Sequence, residues 1–113
     1  MSLDVLRSTT REIASQLAHG DYALVIGRCV KSRLTADDLQ AVISDYGRKL
    51  VSPPADAYGD LDALQVKGAV VPRWSVRAPL WTEEEGRSDL TLEMTITIDA
   101  NSPRVELDDL HVL

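Results

Sequence analysis

Asp108-Asp109-Leu110-His111, near the end of the chain, combines residue types and spacing that can do chemistry. On a strand, residues two apart share a face, so Asp109 and His111 project together. A carboxylate that accepts from one imidazole nitrogen orients the ring and leaves the other nitrogen as a base or ligand. The other histidine, His19, sits at a helix end, where it complements the helix dipole. A transition metal at His111 would therefore need carboxylates for its remaining ligands. On the alternative reading, Asp108-Asp109 is a solvent-facing bulge that holds nothing, and neither a metal nor a cofactor is assigned. The sequence contains no glycine-rich phosphate loop, zinc-type Cys/His spacing or nucleophile elbow.

Trp74 and Trp81 are the next candidates, because an indole can wall a pocket or anchor an interface. Trp74 shares parity with Val76 and Leu80, which assigns it to the core. Trp81 has the opposite parity and lies beside Glu83-Glu84-Glu85-Gly86-Arg87, a hairpin tip, which makes it the better interface residue. Asp56, Asp60 and Asp62 surround Tyr58 in a second acidic segment. That segment lacks the glycine and terminal glutamate of a calcium loop. Trp81, Trp74, Tyr58, Glu83, Glu84 and Glu85 together form the candidate binding set; solvated loops are the plain alternative for both acidic runs.

The elements that position these residues follow from hydropathic period. Asp89 to Asp99 alternates polar and apolar residues without a break, so Leu90, Leu92, Met94, Ile96 and Ile98 point one way. Such a strand belongs to a sheet covered on one side. Upstream, the spacing predicts a helix over 4–19, with Asp4 as N-cap, a stripe of Leu6, Ile13 and Leu17, and Gly20 as the stop. Asp21 can cap a shorter helix containing Tyr22, Val25, Ile26, Cys29 and Val30, although its β-branched residues leave a strand open there. Thr35-Ala36-Asp37-Asp38 resembles a capping box and starts a third helix carrying Leu39, Val42, Ile43, Tyr46 and Leu50. Beyond Ser52-Pro53-Pro54 the period becomes that of strands. Leu64, Val66 and Val70 share one parity, followed by Trp74 to Leu80 with a disturbance at Pro79. Asn101-Ser102-Pro103 turns the chain, and a parity flip predicts a bulge at Asp108-Asp109. The expected architecture is α+β, with three N-terminal helices on one face of a curved four-stranded antiparallel sheet.

The 113 residues form one domain, 1–113, large enough to bury a core unaided. A net charge of −6 argues against nucleic acid as a partner. No apolar run approaches the roughly eighteen residues of a membrane span, and no secretory signal is visible, so the expectation is cytoplasmic. Cys29 is the single cysteine and reads as an inert, buried thiol.

The element order resembles the cystatin-like, or NTF2-like, cone, which implies a cavity between helices and sheet. More specifically, Arg33-Leu34-Thr35, Tyr46-Gly47, Trp74-Ser75-Val76, Leu80-Trp81-Thr82, Glu84 through Leu92 and the ending Leu107 through Leu113 resemble a family of small bacterial domains without an assigned activity. That resemblance implies no catalytic residues. The functional expectation is a non-catalytic module that binds a protein partner, an immunity-type inhibitor being one form, or that forms a homo-oligomer. The alternatives are a pocket for a small apolar molecule and a hydrolase or isomerase using Asp109 and His111.

Overall fold

The computed structural model describes residues 2–100 and 102–113. Its spine is β5 (Gly86–Asp99), whose alternation buries Leu90, Leu92, Met94 and Ile96 completely and Ile98 almost so. Each such side chain contributes about 1.5–3 kcal/mol on leaving water. β4 (Arg73–Thr82) and β6 (Ser102–Val112) flank it, both antiparallel. Val76, Ala78 and Leu80 from β4 and Val105, Leu107 and Leu110 from β6 complete the apolar face.

The helices roof that face. α1 (Ser2–Ala18) lays down Leu6, Ile13 and Leu17, all buried, while α2 (Tyr22–Arg28) adds Val25 and α3 (Ala36–Tyr46) adds Leu39. α1 begins at Ser2, so Asp4 lies within its first turn and does not cap it. Gly20 takes a positive φ of 78° and ends the helix as expected. Asp21 is the N-cap residue of α2, but its side chain makes no capping hydrogen bond, and the helix ends at Arg28, so that Cys29 is its extended C-cap and the Val30 amide turns to the Val105 carbonyl. At α3 the capping box is complete. Thr35 Oγ1 accepts from the Asp38 amide at 3.1 Å, and Asp38 accepts from the Thr35 amide at 2.9 Å.

The sheet departs from the four antiparallel strands expected. Among the described residues it has six, in the order β1-β6-β5-β4-β2, with β3 also on β4, and it is mixed. β1 (Lys31–Ser32) runs parallel to β6 between α2 and α3, so the helical half is interrupted by a strand. β2 (Leu50–Val51) pairs with β4. Leu50 therefore belongs to a strand and not to the third helix, which Gly47 ends at φ 74°. Two-residue strands carry no alternation, so hydropathy does not reveal them; the edge carbonyls and amides of β4 and β6 recruit them.

β3 (Asp62–Gln65) pairs with β4 with Ala63 opposite Val76, so Ala63 lies on the core side and Leu64 stays 70 % exposed. Leu64, Val66 and Val70 are thus surface residues despite their shared parity. Two register breaks fall where they were expected, at Pro79/Trp81 and opposite Glu93/Met94. Of the predicted turn, Asn101 lies outside the described residues, and Ser102 and Pro103 already belong to β6. Helices and sheet bury one apolar cluster between them, in the place where the cone resemblance puts a cavity.

Candidate functional site

The face of the sheet turned away from the helices carries the polar side chains of β4, β5 and β6. The register aligns Arg77, Glu93 and Asp109 in one row and Pro79, Thr91 and His111 in the next. The β6 bulge makes this possible. Glu93 pairs with Asp109 and Met94 with Leu107, so Asp108 is the extra residue. Without it, Leu107 and Leu110 could not both reach the core while Asp109 and His111 face outward. Asp108 is held by Thr95, whose hydroxyl donates to Oδ2 at 2.7 Å.

His111 and Asp109 are brought together, but the closest partner of the imidazole is one the sequence did not nominate. Nε2 of His111 is in direct contact with Glu93 Oε2, whereas Asp109 Oδ2 lies 4.0 Å away. Glu93 is also ion-paired with Arg77, whose Nε lies 3.4 Å from Oε1. Glu93 is the one glutamate of the alternating stretch 89–99, and only the pairing of β5 with β6 reveals its role. His19 belongs elsewhere: its Nδ1 bonds the Ser15 carbonyl at the end of α1, at 2.7 Å.

A cleft of about 380 Å³ opens on the same face, between residues 56–62 and strands β4 and β5. The preceding Pro53-Pro54 segment offers bare carbonyls, and α1 holds them. Arg11 donates to the carbonyls of Pro53, Pro54 and Ala55 at 3.2, 2.7 and 2.6 Å, and Arg7 to that of Gly59 at 3.0 Å. Tyr58 is the peg of the loop: buried, with its hydroxyl donating to the Pro79 carbonyl at 2.8 Å. Burial pushes its phenol well above the ordinary range, with Arg11 pulling weakly the other way, so it stays a neutral donor. Its ring meets Trp81 edge-on, with centroids 5.8 Å apart. Trp81 is therefore half-buried and forms the aromatic wall, with Pro79, Arg77, Arg87, Thr91 and Leu113 around it and Asp56, Asp60 and Asp62 on the loop side.

The remaining candidates lie outside the cleft. Trp74 packs on the far end of the core, with its indole N–H buried and unpartnered among the described residues. Glu83, Glu84 and Glu85 are tied into the fold. Glu85 accepts from the Tyr46 hydroxyl at 2.8 Å and from Thr82, Glu84 from the Lys49 amide at 3.0 Å, and Glu83 pairs with the Lys49 ammonium at 3.7 Å. These bonds fasten the hairpin tip to the end of α3 and the start of β2. Cys29 is half-buried, and burial pushes its thiol up against a smaller opposing effect from Arg28.

Fold and cleft together define a small α+β protein with one mixed sheet, helices on one face and a partly loop-covered polar face on the other. The family model described as a domain of unknown function (DUF7668) matches residues 14–113, and the chain belongs to that family. No curated protein and no solved structure matches it.

Proposed function

We propose that the protein is a non-catalytic binding module whose cleft takes a basic segment of a partner protein. The observation that carries this reading is the composition of the cleft. Trp81 supplies a half-exposed aromatic wall, of the kind that anchors interfaces. Arg77 is already paired with Glu93. Among the described residues, Asp56, Asp60 and Asp62 make no salt bridge, and of the lining cations only Arg87 is likewise free. Three free carboxylates against one free guanidinium, on a chain of net charge −6, favour a cationic guest. An inhibitor that occupies a partner's basic surface is one form of this reading.

The test is capture from a lysate with wild-type and variant baits, followed by measured affinity for the protein recovered. Trp81→Ala should weaken that affinity by about 2 kcal/mol, and Asp60→Lys with Asp62→Lys should weaken it further, with an effect that shrinks in high salt. A partner held equally well by Trp81→Ala removes the cleft as its site. The cleft volume also lies in the range of roughly 300–1,000 Å³ typical of small-molecule pockets. A screen that finds a small ligand protecting Trp81 fluorescence from quenching, with no protein captured, would favour that second reading.

A further inference from the structure

We propose that Glu93, Asp109 and His111 form a binding site for one divalent transition-metal cation on the outward face of β5 and β6. The inference is independent of the cleft reading and rests on three observations.

The first is convergence. One ligand atom from each residue lies within 4.8 Å of the other two, on adjacent strands of the central sheet. His111 Nε2 already touches Glu93 Oε2, and Asp109 Oδ2 is 4.0 Å from the same nitrogen. Two ligands each about 2.0–2.1 Å from a tetrahedral cation stand about 3.4 Å apart. Closing the site therefore asks for shifts of about 1 Å from exposed or half-exposed side chains, while the backbone stays in place.

The second is an electrostatic debt on this face. Glu93 and Asp109 are register partners, and like charges directly opposite on neighbouring strands destabilise a sheet. The Asp108 carboxylate adds a third negative charge on the same side, through its bond to Thr95. Arg77 supplies one fixed positive charge. A dication between the carboxylates removes the repulsion; hydrophobic burial cannot.

The third is how the bulge spends its extra residue. It brings Asp109 and His111 to the face of Glu93 while Leu107 and Leu110 keep the core. One imidazole and two carboxylates suit zinc, cobalt or manganese better than calcium, which prefers six or more oxygens. Three protein ligands also leave the solvent side open to water.

The competing account is a plain imidazolium–carboxylate pair, and a metal titration separates the two. The full chain is titrated with zinc chloride by calorimetry and with cobalt chloride by visible absorption. The expected result is one cation per chain, with binding that weakens in acid because the ligating imidazole must be unprotonated. Glu93→Gln and His111→Asn should each weaken zinc binding by at least about 100-fold, with unchanged circular dichroism. His19→Asn and Trp81→Ala should leave it intact, so loss of the cleft reading would not touch this one. Absence of saturable binding up to about 1 mM cation overturns the proposal, as does equal affinity in His111→Asn.

Discussion

The two faces of one sheet were built under different constraints. On the helix side, Leu90, Leu92, Met94 and Ile96 have no solvent contact and belong to one buried apolar cluster with residues of the helices, β4 and β6. One position away along the same strand, Glu93 and Thr95 meet Arg77, His111 and Asp108 through ion pairs and hydrogen bonds. The packed face is held by mutually supporting apolar contacts. The outer face carries carboxylates, guanidinium groups and an imidazole that the fold does not need for its core. A residue's role therefore depends on its parity, and adjacent residues of β5 face different chemical surroundings.

Neighbouring substitutions break or sharpen this contrast. Leu92→Ala should cost about 3 kcal/mol in urea unfolding, since it removes buried methyl groups and leaves a cavity. Glu93→Gln, one residue on, should change stability by no more than about 0.5 kcal/mol in metal-free buffer, because the lost ion pairs are offset by relief from Asp109. A large loss at Glu93 would show that the outer face is as structural as the inner one. Next in size is Arg11→Ala, which strips three hydrogen bonds from the Pro53, Pro54 and Ala55 carbonyls. It should cost about 2 kcal/mol and speed amide exchange in residues 52–61 before the sheet is affected. Equal acceleration in β5 would mean that loop and sheet open together.

The smallest effect lies away from both faces, at the start of α3. Hydrogen bonds from the Thr35 amide hold the Asp38 carboxyl below its ordinary value of 3.8. A group whose folded value is depressed stabilises the protein above its unfolded value and loses that contribution as pH falls through the folded one. Asp38→Asn should therefore lower the unfolding midpoint at neutral pH, and the difference from wild type should shrink below pH 3.8. A difference that stays constant into acid would separate the cap from its charge.

Much of this was legible in the residues. The alternation from Asp89 to Asp99, the stripe of Leu6, Ile13 and Leu17, the capping box at Thr35 and both register breaks appear in the structure as read. Those signals are local, being periods and turn chemistry written within a few residues. The missed features are long-range. β1 and β2 exist because neighbouring edges offered hydrogen bonds. Leu64 faces outward because the pairing of β3 sets its register. The Glu83–Glu85 run looked like free surface, yet two of its carboxylates accept bonds from Tyr46 and the Lys49 amide, about forty positions back along the chain.

Sequence alone determined which strand is amphipathic, where the first helix stops and the third begins, and that an α+β fold results, because backbone propensity and side-chain parity are properties of short segments. Tertiary structure alone decided that Glu93 joins Asp109 and His111, and that a proline-led loop pegged by Tyr58 walls a cleft against Trp81. Both depend on which strands become neighbours and on a one-residue bulge, and pairing between distant segments leaves no mark in the spacing of either.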